Sequence, residues 1–224
     1  MGESANIVIA IDGPAASGKS SVARALAKRL GFIYVNTGAM YRAVTWLIVS
    51  KDVPVPDTGR VEQLLHFTEF RFGLNVGEST ILIDGVDPAP HLVSAEVNAN
   101  VSAVASIPEV RRMLVEKQRA YAADRDVVME GRDIGSVVFP DTEYKFYIDA
   151  SVEVRARRRE RQGLTDSISA RDKVDSTRRN SPLTIAEDAH VIDSSNLTIE
   201  GVVGEIIGRL KLKGMDVESV WARR

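Results

Sequence analysis

The stretch IAIDGPAASGKSS, residues 9–21, decides the fold because an apolar segment runs directly into a glycine-bounded turn, a lysine and hydroxyl side chains. Residues 13–20 match the pattern G-x-x-x-x-G-K-[ST] at every fixed position. Such a turn directs successive backbone N–H groups toward an anion at the N-terminus of a helix. The stretch therefore predicts a buried strand, a phosphate-binding turn and a helix, in that order.

The rest of the chain alternates apolar runs with segments of helical period, which predicts a parallel sheet with crossover helices. Predicted strands are 6–12, 32–36, 126–131, 145–150 and 189–195, and predicted helices are 18–31, about 38–50, about 108–123, 151–161 and 198–214. Between about 60 and 95, FTEFRFG and STILIDG alternate apolar and polar residues, which indicates an antiparallel pair in an insertion. We expect an α/β fold of three layers, α/β/α, around a parallel central sheet.

The composition is that of an ordinary globular protein, with 44% hydrophobic and 27% charged residues among 224. The absence of cysteine excludes disulfides, a thiol nucleophile and thiolate metal ligands, and three scattered histidines do not indicate a zinc site. No apolar run has the length of a membrane span, and the first residues lack the order of a signal peptide. We therefore expect a cytoplasmic protein with no membrane partner.

The charged residues are unevenly distributed. Lys and Arg number 29 against 31 Asp and Glu, and the net charge of −2 argues against a general nucleic-acid partner. Residues 150–181 nevertheless carry nine basic and five acidic side chains, a local charge of +4. The run RARRRER, residues 155–161, has three interpretations: an arginine lid over a transferring phosphoryl group, a solvated helix face, or a nucleic-acid patch. We favour the lid, and the acidic character of the chain as a whole argues against the nucleic-acid patch.

A second group of arginines and carboxylates falls at the predicted carboxyl ends of strands or in loop-like segments, where α/β folds bind ligands. These residues are Arg42, Arg132, Asp133, Arg171, Asp175 and Arg178. Several arginines from separate segments suggest convergence on an anion. A phosphate monoester would suit them, and it is already mostly ionised at pH 7, so no catalytic base is required. The low histidine content fits such an acceptor better than it fits an alcohol.

The turn alone leaves the reaction open, since similar turns serve switches, ATPases and small-molecule kinases. The guanine-reading motif N-K-x-D of GTPases is absent, which disfavours a switch. Two alternatives remain at this point. One is a kinase for another monophosphate or for a metabolite hydroxyl, and the other is a nucleotide-dependent binding module that hydrolyses ATP when a partner docks.

The chain resembles the bacterial cytidylate kinases, a family of P-loop nucleoside monophosphate kinases, in the order of its blocks. The matching blocks are IDGPAASGKSS, NTGAMYRA, EGRDIGSVVFPD, KFYIDAS, RDKVDSTRRNSPL and AHVIDSS. The resemblance runs from about residue 7 to residue 210 and implies Mg²⁺-dependent transfer of the γ-phosphoryl group of ATP to CMP or dCMP. It also implies a core of residues 1–59 and 96–224, a monophosphate-binding insertion at 60–95 and a short helical lid at about 158–182. We expect a monomer whose partners are these nucleotides.

The same resemblance, with the phosphate-turn motif, assigns residues to each substrate. The donor set is Gly13, Pro14, Ala15, Ala16, Ser17, Gly18, Lys19, Ser20 and Ser21, with Arg157 or Arg158 from the lid. Lys19 would reach the β- and γ-phosphates, and Ser20 would bind Mg²⁺.

The acceptor set combines phosphate, sugar and base contacts. Arg42 and Arg132 would hold the acceptor phosphate, with Arg171 and Arg178 assisting, Asp175 would bind the sugar hydroxyls, and Ser102, Arg111 and Asp133 would read the cytosine, beside Thr37 and Tyr41. The expected catalytic residues are Lys19, Arg42, Arg132 and Arg178.

Two positions depart from the family pattern. Asn36 stands where the family usually has aspartate before TG, and Glu130 stands where it often has aspartate before GRD. Asn36 can still accept a hydrogen bond but lacks the charge, which affects the expected metal affinity more than the reaction type. Glu130 keeps the charge on a longer stem.

Overall fold

The computed structural model describes residues 6–161, 163, 168–177 and 183–218. The strands are β1 (Val8–Asp12), β2 (Ile33–Asn36), β3 (Phe70–Asn75), β4 (Glu78–Ile83), β5 (Val127–Gly131), β6 (Tyr144–Asp149) and β7 (His190–Asp193). The helices are α1 (Lys19–Leu30), α2 (Thr37–Ser50), α3 (Thr58–Phe67), α4 (Ala95–Val104), α5 (Pro108–Tyr121), α6 (Val152–Arg161), α7 (Ile168–Ser176) and α8 (Ile199–Leu212). A π-helical turn spans Ile134–Val138.

These strands form one seven-stranded sheet in the order β3-β4-β2-β5-β1-β6-β7. Every neighbouring pair is parallel except β3 and β4, which form the antiparallel pair predicted from period-two alternation. The hairpin extends the main sheet through β4, which pairs with β2 at Tyr34 and Glu78. The expected α/β fold with a parallel central sheet is confirmed.

Both faces of the sheet are buried, as parallel strands require. On one face, Ile9 and Ile11 of β1 pack in a cluster with α1 and α8. On the other face, Val8 and Ala10 pack in a cluster that includes residues of α2, α3, α4 and α5. Alternate residues of one strand therefore hold two helical layers, and the three-layer expectation is correct. Within the part of the chain that the structure describes, no helix has the length and apolarity needed to cross a membrane.

Two helices were not predicted from the sequence. Helix α3 begins at the cap Asp57, whose side chain accepts from the Arg60 N–H, and it buries Val61 and Leu65. Helix α4 begins at the cap Ser94, which accepts from the Val97 N–H. Each has 10 residues and buries only two or three apolar side chains, so packing against the rest of the fold contributes most of its stability.

The turn between β1 and α1 is packed directly against the backbone of β6. Gly13 has φ +154°, and a Cβ at this position would lie 2.1 Å from the Ile148 carbonyl oxygen. Neither atom of that contact belongs to a flexible side chain, so the clash can be relieved only by moving a strand or the turn. Glycine at 13 therefore sets how closely the turn approaches the sheet.

Replacing Gly13 by alanine tests this constraint. We expect Gly13→Ala to destabilise the fold by roughly 2–3 kcal/mol and to lower Tm by about 5–10 °C, because overpacking against backbone adds to a strained φ. The matched control is Gly204→Ala in α8, where no atom lies within 4 Å of the added Cβ. There alanine should stabilise by roughly 0.5–1 kcal/mol. Thermal unfolding of the two variants and the wild type measures both effects, and equal melting temperatures for Gly13→Ala and the wild type would contradict the packing argument.

Candidate active site

A cavity of about 860 Å³ lies at the carboxyl end of the central strands. Its walls are the turn after β1, the first turns of α1 and α2, the end of β5, and residues of α4, α5, α6 and α7. Ligands of open α/β sheets bind in this position, outside the carboxyl ends of the strands. Most of the residues predicted for the two substrates line this one cavity.

The phosphate turn brings Lys19 into the cavity wall as the first residue of α1. Lys19 is 6% exposed, its Nζ donates to the Pro14 carbonyl at 3.0 Å, and the same atom lies 4.0 Å from Glu130 Oε2. Gly18 precedes it in the left-handed region with φ +92°, which glycine adopts at little cost. The N-terminus of α1 and a buried ammonium group thus form one positive end of the cavity.

The two positions that depart from the family pattern are register partners on neighbouring strands, β2 and β5. Asn36 is the cap of α2, and its Oδ1 accepts from the Ala39 N–H at 2.9 Å. Glu130 is 3% exposed, and its Oε1 accepts from the Tyr34 hydroxyl at 3.1 Å. Burial, together with the Glu130 charge, raises the pKa of Tyr34, which keeps the phenol protonated as the donor in this bond. Glu130 is thereby held beside Lys19.

Arg132 connects the two sides of the cavity. Its Nη1 donates to the Gly13 carbonyl at 2.9 Å, and its Nε donates to Asp175 Oδ2 at 2.9 Å. Asp175, in α7 and 1% exposed, also accepts from the Ser102 hydroxyl at 3.0 Å on its other oxygen. The predicted residues Arg132, Asp175 and Ser102 are therefore in direct contact.

Arg111 and Asp133 form a buried ion pair on the same wall, with exposures of 6% and 5%. The Arg111 guanidinium lies over the ring of Tyr41 at 5.8 Å. Thr37, the first residue of α2, donates from its hydroxyl to the Glu130 carbonyl at 2.7 Å. The structure places these predicted acceptor residues together in the lining of the cavity.

The arginines of α6 differ sharply in their surroundings. Arg158 donates from Nη1 to the Ser17 carbonyl at 3.1 Å and from Nη2 to the Ser194 carbonyl at 2.7 Å, so it lies against the phosphate turn. Arg157 is exposed, and its Nε donates to the Glu153 carbonyl at 3.4 Å within the same helix. Arg155 is buried and pairs with Asp172 of α7 at 2.6 Å. Of the two arginines that the sequence leaves open, Arg158 is the one held against the phosphate turn.

Two predicted residues cannot be placed in the same way. Arg178 lies outside the described residues. Arg171 belongs to α7, but its side chain is not among those the structure describes.

Residues 9–212 match the model of the family described as cytidylate kinase. The chain belongs to the cytidylate kinase family. It is 42% identical over 211 residues to the cytidylate kinase of Caldanaerobacter subterraneus subsp. tengcongensis, covering 89% of this chain and 92% of that relative. It is 44% identical over 214 residues to the cytidylate kinase of Pelotomaculum thermopropionicum, covering 90% and 95%. A shikimate kinase from Acinetobacter baumannii, solved with shikimate, is 13% identical with a TM-score of 0.45 and coverage of 94% and 96%, too distant to support an argument.

Sequence reasoning missed two polar residues of this cytidylate-kinase-family site. Ser194, after β7, donates to the Ser17 carbonyl at 2.7 Å and accepts from Arg158. Asn98 of α4 accepts from Arg42 at 2.8 Å and from Arg159 at 3.2 Å. Ser194 could have been found from its place at the carboxyl end of a predicted strand. Asn98 had no such signal, because its helix was not predicted.

Asp12, the last residue of β1, fixes the loop that follows β5. Its Oδ1 accepts from the Ile134 N–H and its Oδ2 from the Gly135 N–H, both at 2.8 Å. Burial raises the pKa of Asp12 to about 7, although the two N–H groups act in the opposite direction. There is therefore a pH range in which the Asp12 carboxyl group is protonated in the folded chain and ionised in the unfolded chain.

This difference predicts a pH dependence of stability. The folded state binds the Asp12 proton more tightly than the unfolded state does. The contribution of Asp12 to the free energy of unfolding therefore falls as pH rises from about 4 to about 7, by about 1.4 kcal/mol per pH unit. Urea unfolding of the wild type and Asp12→Asn at about pH 5 and about pH 6.5 isolates this contribution, since other groups titrate in both proteins. We expect the wild type to lose about 2 kcal/mol relative to the variant. A difference that does not change with pH would mean that the two N–H groups outweigh burial.

Proposed function

We propose that this chain transfers the γ-phosphoryl group of ATP to CMP or dCMP, giving ADP and CDP or dCDP. One observation carries the proposal. One cavity is lined both by the phosphate turn with Lys19 and by the proposed acceptor residues Arg132, Arg111 and Asp133. A site that only hydrolysed ATP would not need the second wall.

The donor phosphates would lie on the turn. Backbone N–H groups at the start of α1 and the Lys19 ammonium provide the positive charge for the β- and γ-phosphates. Arg158, held against the turn by the Ser17 and Ser194 carbonyls, would approach the same phosphates from α6. The transferring group would then be enclosed by cations from the core and from the lid.

Ser20 fits a magnesium site. It is the second residue of α1, is half-buried and lines the cavity beside Lys19. A hydroxyl oxygen is a suitable ligand for Mg²⁺, which usually takes its other ligands from substrate phosphates and water. When bound, the ion would neutralise charge on the β- and γ-phosphates. Glu130 is held on the same wall by Tyr34, and Asn36 is used as a helix cap.

The acceptor phosphate would bind between Arg132 and Arg42, with Arg171 and Arg178 assisting. Arg132 donates from Nε to Asp175 and from Nη1 to the Gly13 carbonyl. A guanidinium group has five N–H donors, so Arg132 can keep these contacts and still donate to a phosphate. Asp175 would bind the sugar hydroxyls.

The Arg111–Asp133 pair is chemically suited to bind a cytosine base. Cytosine presents an amino donor beside a ring nitrogen and a carbonyl, both acceptors. A carboxylate facing the amino group and a guanidinium facing the acceptors would match this edge, with Ser102 as a further polar contact. Uracil carries a donor at the ring nitrogen and an acceptor in place of the amino group. The same pair would then place a donor against a donor and an acceptor against an acceptor, which disfavours uracil.

The reaction would need positioning and charge neutralisation more than proton transfer. The acceptor phosphate is mostly ionised at pH 7 and can attack without a base. Two phosphate groups brought together in a poorly hydrated cavity repel each other by several kcal/mol, and the arginines with Lys19 would offset this repulsion. The side chains Lys19, Arg42, Arg132 and Arg178 are therefore proposed as the catalytic set.

The domain organisation follows the same assignment. We propose that residues 60–95 act as the monophosphate-binding insertion and residues 158–182 as the lid. Leu92 and Val93 of the first segment and Arg158, Arg159 and Arg161 of the second line the cavity. A monomer in the cytoplasm, where both nucleotides are available, remains our prediction.

The proposed reaction is tested by ADP release with an acceptor panel. ATP, Mg²⁺ and CMP, dCMP, UMP, AMP or GMP are supplied in parallel, with a reaction lacking any acceptor. We expect kcat/KM for CMP and dCMP to exceed the values for the purine monophosphates by about 100-fold or more, with weak turnover of UMP. Preference for a different monophosphate would favour a related kinase. Equal ADP release without an acceptor would favour an ATPase or a nucleotide-dependent binding module.

The donor assignment of Arg158 has a matched control on the same helix. Arg158→Ala should raise KM for ATP about tenfold, because it removes charge-assisted hydrogen bonds at the phosphate turn. Its effect on KM for CMP should be smaller than threefold. Arg157→Ala removes the same charge from the exposed side of α6 and should leave both values within about twofold of the wild type. A larger change in Arg157→Ala than in Arg158→Ala would reverse the assignment.

A further inference from the structure

Arg155 of α6 is a buried arginine with protein acceptors on three sides. It is 4% exposed, and its Nε donates to the Ala150 carbonyl at 2.9 Å. Its Nη1 donates to Asp172 Oδ2 of α7 at 2.6 Å and makes a longer contact, 3.4 Å, with the Ala15 carbonyl of the phosphate turn. Arg155 thereby joins α6 and α7 to the phosphate turn.

The Arg155–Asp172 pair lies behind the cavity wall. Among the residues that the structure describes, the lining includes Arg158 and Arg159 of α6 and Asp175 of α7, but neither Arg155 nor Asp172. These two residues can therefore act on a bound nucleotide only through the elements that they hold in place. Any effect of the pair on the reaction is an effect on position.

A second arginine repeats this arrangement on the same helix. Arg132 donates from Nε to Asp175 Oδ2 and from Nη1 to the Gly13 carbonyl, both at 2.9 Å. Asp172 and Asp175 are three residues apart in α7, so their carboxylates lie on one face of the helix. Helix α7 is thus attached to the phosphate turn through two arginines, Arg132 and Arg155.

The attachment of α7 matters because this helix carries Asp175, the proposed ligand of the sugar hydroxyls. Asp175 is 1% exposed and accepts from Arg132 on one oxygen and from Ser102 on the other. A carboxylate has about four acceptor sites, so Asp175 can keep both contacts and still accept from a hydroxyl. Its place beside the acceptor then depends on how firmly α7 is held.

We propose that Arg155 and Asp172 are positioning residues that hold α7 against the phosphate turn, so that ATP on the turn strengthens the binding of CMP. The inference rests on the proposed transfer to CMP or dCMP and adds two residues that touch neither nucleotide. ATP fixes the turn whose carbonyls accept from the two arginines, and the arginines fix the carboxylates of α7. By linkage, CMP strengthens the binding of ATP by the same factor.

The decisive variant is Asp172→Asn, which keeps the size of the side chain and removes the charge that faces Arg155. Calorimetry measures Kd for CMP with and without a non-hydrolysable ATP analogue and Mg²⁺. We expect the analogue to lower Kd for CMP about fivefold or more in the wild type and less than twofold in the variant. A variant that keeps the wild-type ratio of the two Kd values would overturn the proposal, whatever its Tm.

The matched control is Glu153→Gln, which removes the same charge from an exposed side chain in the first turn of α6. It should keep the ratio of the two Kd values within about twofold of the wild type. A merely structural role of Asp172 would lower Tm without changing that ratio. Equal loss of coupling in Glu153→Gln would assign the effect to net charge and not to the Arg155–Asp172 pair, which would also contradict the proposal.

A double-mutant cycle tests whether the two residues act as a unit. Arg155→Lys keeps the positive charge but lacks the fork of donors that reaches Asp172 and the Ala150 carbonyl together. It should weaken the coupling about as much as Asp172→Asn does, and the double variant should lose little more than either single variant. Independent, multiplying losses would mean that Asp172 does not act through Arg155 and would overturn the proposal.

The wild-type enzyme separates this inference from the proposed function. A wild type that fails to phosphorylate CMP or dCMP overturns both. A wild type that phosphorylates CMP, but whose Kd for CMP is unchanged by the ATP analogue, overturns the inference alone.

Discussion

The carboxyl end of β1 joins the donor and acceptor sides of the cavity, and the rest of the site depends on this junction. Asp12 accepts from the Ile134 and Gly135 N–H groups, which fixes the segment after β5. Gly13, the next residue, packs against the β6 backbone and accepts from Arg132 through its carbonyl. Two consecutive residues thus set the distance between the phosphate turn and the acceptor arginine. Phosphoryl transfer requires such fixed positioning, since little of its barrier is lowered by proton transfer.

A dense group of cations must be stable before any phosphate arrives, and the site achieves this with buried carboxylates. Arg111 pairs with Asp133, Arg132 pairs with Asp175, and Lys19 lies near Glu130. A buried cation without a partner would cost several kcal/mol. Each pair also leaves donor capacity, because a guanidinium or ammonium group has more N–H donors than one carboxylate uses. The carboxylates therefore preserve the cavity's shape without removing its ability to bind anions.

The sequence predicted the parts of this molecule that depend on local patterns. Glycine and lysine spacing predicted the phosphate turn, and apolar runs predicted the central strands, because both signals lie within a few neighbouring residues. Helices α3 and α4 were not predicted, because each buries only two or three apolar side chains and depends on contacts with distant parts of the chain. The placement of Arg158 rather than Arg157 against the phosphate turn likewise required the fold. Adjacent residues on one helix face different surroundings, and the rotation of α6 about its axis has no local signal. The contacts of Glu130 with Tyr34 and Lys19 join three separate segments, so the sequence could not predict them either.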